Sequence, residues 1–230
     1  MICFLGTSHA AEHLREAAFE KCLSLTRDPA YAEVIFISED TPTDAEGNRD
    51  LQPIRKMFLD VAGLGKPIVI TSQVPPGFTR SLGYDQRIYH QAETLRIKDA
   101  EHRALYPEYI AIGCASYGSY ELLPEAYRDY LDRFSCPKLI VQWEDAEFSK
   151  IAVNMMLAAQ VDATNRLAAA AEKCGATWWF VRDIMQHDKR IGPEAYLTPG
   201  RWQDSKHLLR DYVTLEEICK RTHAASSEEK

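Results

Sequence analysis

The sequence predicts an α/β protein, a mostly parallel sheet followed by a long helix and a smaller helical region. Three observations predict it. Short apolar runs of strand length alternate with helix-like segments as far as Gln142. The first of these runs ends in a glycine turn that opens a helix. From Asp145 to Cys174 apolar residues recur at three-to-four spacing, the period of an amphipathic helix.

Ile2–Leu5 reads as the first strand and His9–Cys22 as the helix after it. The turn between them, Gly6-Thr7-Ser8-His9-Ala10-Ala11, stands where a Rossmann-like domain places G-x-G-x-x-G, with Ser8 at the second glycine position and Ala11 at the third. Gly6, Ser8, His9 and Ala11 are therefore candidate cofactor contacts, since a helix N-terminus offers N–H groups to a pyrophosphate. The same residues also suit a plain strand-to-helix turn. Asp28 lies about 20 positions on, where such a fold holds the adenosine ribose, and its neighbour Arg27 would favour a 2′-phosphate. With Pro29 beside it, Asp28 equally suits a simple turn.

Val34–Ser38 and Ile68–Thr71 are further buried strands, and Tyr109–Gly113 and Leu139–Gln142 complete the set. Thr41-Pro42-Thr43-Asp44, Asn48-Arg49-Asp50 and Val74-Pro75-Pro76-Gly77 are the turn signals between them. The long helix has Phe148, Ile151, Met155 and Ala159 on its apolar stripe and ends at Gly175. After it come Trp178-Trp179-Phe180-Val181, another helix, a loop from Gly192 to Gly200 and a last helix near Val213–Arg221. The charged end Ala224–Lys230 lacks apolar anchors and is expected to fray.

A chain of 230 residues with 46% hydrophobic content can bury about 70% of its unfolded surface without a metal or disulfide to hold it. A net charge of -7 argues against nucleic acid or an anionic membrane as partner, because both demand a basic footprint. No run reaches membrane-spanning length, and the start lacks the basic region of a signal peptide, which points to the cytoplasm. The six cysteines are scattered without a C-x-x-C pair, so they read as mostly reduced and structural, and no metal is expected.

Val34–Ser38 followed by Thr41-Pro42 is similar to the strand and Thr-Pro turn of the UDP-glucose/GDP-mannose dehydrogenase family, and further segments resemble that family in order. Thr71-Ser72-Gln73-Val74-Pro75-Pro76-Gly77-Phe78-Thr79 resembles its Ser-Thr-x-Pro-x-Gly-Thr loop, with Gln73 at the threonine position. Gln91-Ala92-Glu93-Thr94-Leu95-Arg96 is similar to Asn-Pro-Glu-x-Leu, and Tyr106-Pro107-Glu108-Tyr109-Ile110-Ala111-Ile112-Gly113 to His-Pro-Asp-Arg-x-x-x-Gly. The most specific likeness is Ala146-Glu147-Phe148-Ser149-Lys150-Ile151-Ala152-Val153-Asn154 to Ala-Glu-x-x-Lys-x-x-x-Asn, joined by Asp188-Lys189-Arg190-Ile191-Gly192 to Asp-x-Arg-Ile-Gly.

The resemblance implies an oxidoreductase that uses NAD or NADP on the CH–OH group of a nucleotide sugar or related sugar, with Thr41, Pro42 and Gln73 among the cofactor contacts. Lys150 and Asn154 lie four apart on one helix face and can point an ammonium and an amide at one substrate oxygen, stabilising the oxyanion that forms as hydride leaves. Glu93 is a candidate acid/base group working through a water. Arg190 and Gly192 are implied substrate contacts, Arg190 reaching the partner subunit's substrate in a homodimer. Residues 1–144 are then a shortened NAD-binding domain, 145–222 the central helix and a helical dimerisation domain, and 223–230 a flexible tail.

The departures qualify the chemistry. Where the family carries Gly-Gly-x-Cys-Phe-Pro-Lys-Asp, this chain reads Gly200-Arg201-Trp202-Gln203-Asp204-Ser205-Lys206-His207-Leu208-Leu209-Arg210-Asp211. A one-residue insertion puts His207 at the cysteine position, Arg210 at the lysine and Asp211 at the aspartate, so these three are the remaining candidates. Imidazole cannot form the thiohemiacetal on which the second hydride transfer rests. His207 is either a base for a single alcohol oxidation or an ordinary loop histidine. The nucleotide domain reads as short by about one βα unit before Val34, and the chain is expected to lack the family's C-terminal domain. A non-catalytic nucleotide or nucleotide-sugar binding homologue is the alternative, and a free or carrier-linked sugar a further one.

Overall fold

The computed structural model describes residues 1–83 and 85–227. The chain divides into two units, Met1–Pro42 with Arg49–Lys150, and Thr43–Asn48 with the chain from Ile151 onward.

In the first unit the order is β1 (Ile2–Leu5), α1 (His9–Glu20), β2 (Leu25–Thr26), a 3-10 turn (Pro29–Tyr31), β3 (Val34–Ile37), α2 (Gln52–Ala62), β4 (Ile68–Ile70), α3 (Phe78–Ser81), β5 (Ile88–Gln91), α4 (Ala100–Leu105), β6 (Ile110–Cys114), α5 (Glu125–Leu131), β7 (Lys138–Gln142) and the first turns of α6 (Trp143–Lys173). The strands form one seven-stranded sheet in the order β2-β1-β3-β4-β5-β6-β7. Every pair is parallel except β5 with β6, which runs antiparallel with His90 opposite Gly113. This is an α/β Rossmann-like sheet.

Strand β3 shows why the pattern reads as it does. All four of its residues are buried, because a central parallel strand has helices over both faces. Phe36 joins Phe4, Ile112, Tyr127 and Tyr130 on one face, while Ile35 and Ile37 join Ile54, Phe58 and Trp143 on the other. Burying each such side chain contributes about 1.5–3 kcal/mol, which is what fixes the strand's register. Gly113 on β6 lets α6 start close to the sheet, since a Cβ there would lie 2.9 Å from the Trp143 Cα and 3.0 Å from the Ala146 Cβ.

The second unit holds the rest of α6, then α7 (Trp178–His187), a 3-10 turn (Trp202–Asp204) and α8 (Lys206–Ser227). Helix α6 ends at Gly175, left-handed at φ +77, with the Ala176 N–H returning to the Ala171 carbonyl at 2.8 Å. A small core of Ala171, Trp178 and Leu197 is tied by the Trp178 indole donating to the Leu197 carbonyl at 3.2 Å.

Several elements differ from the sequence reading. Two strands escape it, β2 because it is two half-buried residues long and β5 because it carries His90 and Gln91 among its apolar positions. The supposedly absent βα unit is half present: β2 pairs beside β1, and a 3-10 turn stands where a connecting helix would be. The last helix begins at Lys206, not near Val213, because Ser205 opens it, its carbonyl accepting the Leu209 N–H at 2.9 Å. His207 is thus a helical residue and not a loop histidine. The long helix starts at Trp143, two residues before Asp145. Cysteines 22, 174 and 219 are exposed, so only Cys3 is a core thiol and Cys114 and Cys136 are half-buried. Helix α8 is described to Ser227, and residues 228–230, the end of the expected tail, lie outside the described residues. Among the described residues no helix is long and apolar enough to cross a membrane, and no three His, Cys, Asp or Glu side chains are grouped to hold a metal ion.

Candidate functional site

Strands β2 and β3 leave β1 on opposite sides, so a crevice opens at the carboxyl ends of β1 and β3, the crossing point at which open α/β sheets bind ligands. Gly6 lies at its base with φ +114, where a Cβ would stand 2.1 Å from the Ser38 carbonyl oxygen. This glycine is therefore required by the approach of the β3 end, whatever the crevice binds. Ser8 is buried and caps α1: its hydroxyl accepts the Ala11 N–H at 3.0 Å and donates to the Ser38 carbonyl at 2.7 Å. The side chain at the second glycine position is thus turned into the protein. His9 is exposed on the first turn, its Nε2 3.1 Å from that of His13, and Ala11 is fully buried.

The neighbouring loops are bonded into the same rim. The Glu39 N–H donates to the Ser72 hydroxyl at 2.8 Å, and the Thr41 hydroxyl to the Gln73 carbonyl at 3.4 Å. Thr41 is buried and Pro42 exposed, its carbonyl accepting the Asp50 N–H at 2.8 Å. Asp28 follows β2 by two residues and is exposed, one carboxylate oxygen accepting the Ala30 N–H at 2.9 Å. Three features fit a dinucleotide here: the inward Ser8 side chain, the N-terminus of α1 and an acid at the end of β2. One group stands against it. The Glu39 carboxylate accepts from the Thr7 N–H at 3.0 Å and the Thr7 hydroxyl at 3.3 Å, on the turn where phosphate would dock.

The Pro75-Pro76-Gly77 loop is held by a residue that sequence reasoning passed over. Glu147, one turn before Lys150 on α6, is 1% exposed and accepts the Gly77 N–H at 2.6 Å and the Thr79 N–H at 2.7 Å. Burial pushes its carboxyl up to about 7, against the opposing effect of those hydrogen bonds. Beside it Glu144 forks onto Arg80 at 2.5 and 2.9 Å. Gly77 takes φ +89 with open space where a Cβ would go, so here the backbone conformation alone calls for glycine. The quoted Ala-Glu-x-x-Lys pattern contained the signal for Glu147, but its partners lie about 70 residues away in sequence.

Glu93 is half-buried and accepts the Leu95 N–H. It lines a cavity with Thr71, Gln91, Arg103 and Tyr109. The Gln91 side chain is fixed there by the buried Tyr127 hydroxyl, which donates to it at 2.9 Å. Lys150 is half-buried.

In the second unit two sequence candidates meet. The Asn154 amide donates to the Asp211 carboxylate at 2.6 Å, with Asn154 9% and Asp211 0% exposed. Arg210 is buried with its Nε 3.8 Å from the same carboxylate. The Asn154 amide is therefore at least half committed to Asp211 rather than wholly available to a substrate oxygen. His207, one turn earlier on α8, is exposed. Arg190 is 88% exposed and forks onto Asp188 at 3.0 and 2.7 Å, while the Gly192 N–H, at φ +81, returns to the Asp188 carbonyl at 2.9 Å. Asp188, Arg190 and Gly192 form one self-bonded turn with the guanidinium facing out.

Residues 144–227 match the model of the UDP-glucose/GDP-mannose dehydrogenase family, central domain. The UDP-glucose 6-dehydrogenase of Rickettsia bellii is 29% identical over 205 residues, covering 84% of this chain and 46% of that protein. UDP-glucose 6-dehydrogenase YwqF of Bacillus subtilis is 30% identical over 217 residues, covering 89% and 47%. The chain thus spans about half the length of these relatives. Among solved structures, a UDP-glucose dehydrogenase from Pyrobaculum islandicum superposes with a TM-score of 0.66 at 21% identity, covering 96% of this chain and 68% of that one, which is a likeness of fold. The central-domain match over residues 144–227, the relatives over about half their length and the shared sheet agree, and the chain is similar to the UDP-glucose/GDP-mannose dehydrogenase family.

Proposed function

We propose that this chain is an NAD(P)-dependent oxidoreductase acting on the CH–OH group of a nucleotide sugar or related sugar, in the cytoplasm. The observation that carries the reading is the crevice at the crossing of β1 and β3, where Gly6 abuts the Ser38 carbonyl and Ser8 turns its hydroxyl inward. Bound there, the nicotinamide would supply the hydride acceptor. The N-terminus of α1 from His9 to Ala11 would take the pyrophosphate, Asp28 the ribose, and the joined Thr41 and Gln73 loops would floor the cofactor.

The chain's own chemistry divides among a few side chains. Glu93, half-buried in its cavity, takes the hydroxyl proton through a water. The Lys150 ammonium stabilises the alkoxide as hydride departs. Within the second unit, the Asn154 and Asp211 pair holds an amide as a hydrogen-bond donor, and Arg190 and Gly192, with Arg210, are the candidate groups for an anionic ligand. His207 offers no thiol for a thioester route, so the reading is one oxidation from alcohol to carbonyl, the hydride going to nicotinamide and the proton to Glu93. Val153 and Met156 on α6 and Trp179, Phe180 and Ile184 on α7 are exposed apolar residues of the second unit that support a homodimer.

A specific observation favours a second reading, a non-catalytic nucleotide or nucleotide-sugar binding homologue. Glu39 sits on the phosphate turn, and an exposed histidine stands where the family's thiol belongs. Incubation of the chain with NAD or NADP and a panel of nucleotide sugars separates the two. Reduced-nicotinamide absorbance that Lys150→Ala removes supports the enzyme; ligand binding without it supports the binding protein.

A further inference from the structure

The most consequential departure at the crevice is a charge. Glu39 follows β3 directly, and its carboxylate reaches the turn after β1, accepting from both the N–H and the hydroxyl of Thr7 at 3.0 and 3.3 Å. Its second oxygen accepts the Asp40 N–H at 2.9 Å, so the acid is held from both ends. The half-buried carboxylate is thus an internal anion on a turn whose N–H groups suit an external one. The surroundings reinforce it. Glu39, Asp40 and Asp60 line one depression with Lys56 as its cation, and the chain as a whole carries -7. The adjoining Ser38 hydroxyl is buried and makes no hydrogen bond among the described residues.

We propose that Glu39 sets the ligand selectivity of this crevice by competing with phosphate for Thr7. A pyrophosphate can occupy the turn only after the carboxylate leaves, and it then meets a like charge within a few ångströms. Ligand affinity falls as the number of phosphate charges rises, so NADP, with its additional 2′-phosphate, suffers at least as much as NAD. The proposal rests on the dinucleotide reading above. Glu39 is a selectivity residue and takes no part in the hydride step.

Calorimetric titration of the full chain and its Glu39→Gln variant with NAD, NADP and inorganic pyrophosphate tests it, with thermal melts confirming that both are folded. Glutamine keeps an acceptor for the Thr7 N–H and removes the charge, so the expected result is dinucleotide affinity at least tenfold tighter in the variant, the gain shrinking as salt is raised. A purely structural residue would give a loss in place of a gain. Equal affinities at all salt concentrations, or weaker binding by the variant, overturn the role of Glu39 and leave the dinucleotide reading standing. Binding by neither protein overturns both.

Discussion

The Asn154 amide and the Asp211 carboxylate, 57 residues apart in sequence, meet at 2.6 Å in the interior of the second unit. Arg210 is buried beside them, so Asp211 both orients an amide and balances a guanidinium. Replacing Asp211 with Ala removes a buried carboxylate from beside that arginine and the acceptor of the Asn154 amide, and breaking such a buried charged pair costs up to about 3–5 kcal/mol. Urea unfolding of Asp211→Ala should show a loss of unfolding free energy of that order, whereas Asp211→Asn, which retains an acceptor, should lose clearly less.

Glu147 predicts a pH dependence. The folded chain holds this proton up to about 7, whereas an unfolded glutamate releases it near about 4.3. The group therefore favours the folded state fully below the lower value and withdraws that support as pH climbs through the upper one, on the order of 3 kcal/mol at most. Denaturant titrations at several pH values between 4 and 8 should show wild type losing stability relative to Glu147→Gln across that interval. Parallel curves would remove the assignment.

Two glycines with positive φ should respond very differently to alanine. At Gly6 the new Cβ meets the Ser38 carbonyl oxygen at 2.1 Å, whereas at Gly77 it meets open space. Gly77→Ala should cost only the left-handed penalty, about 1–2 kcal/mol. Gly6→Ala adds a backbone collision and should cost more than about 3 kcal/mol or prevent folding, as thermal melts of the pair would show.

Lys150 and His207 separate catalysis from packing. If the ammonium stabilises the departing alkoxide, Lys150→Ala should lower turnover by about 100-fold or more while cofactor binding persists. His207→Ala, at an exposed position on α8, should change stability by less than about 0.5 kcal/mol. A loss of turnover in His207→Ala with unchanged melting would make the imidazole the base in place of Glu93.

Elements with a long or fully buried pattern were legible from sequence. Val34–Ile37 is apolar throughout because both its faces are covered, and α6 keeps its period over eight turns' worth of chain ending at a glycine. β2 and β5 were not, since two residues carry no period and His90 breaks an apolar run although it is itself buried. The candidate residues Gly6, Ser8, Thr41 and Gln73 could be marked by motif, but their bonds to Ser38 and to one another depend on strand order. Glu39 and Glu147 were missed for the same reason. Each is an ordinary acid in sequence, and its meaning lies in the backbone N–H groups that folding brings to it.

On the reading proposed above, the crevice between the ends of β1 and β3 binds a nicotinamide dinucleotide. Calorimetric titration of the intact chain with NAD and NADP at low salt, carried to millimolar ligand, tests it most directly. The expected result is saturable binding at one site per chain that does not weaken as salt is raised, because salt screens the Glu39 carboxylate from the pyrophosphate; a folded chain that takes up neither dinucleotide at any concentration would overturn the reading.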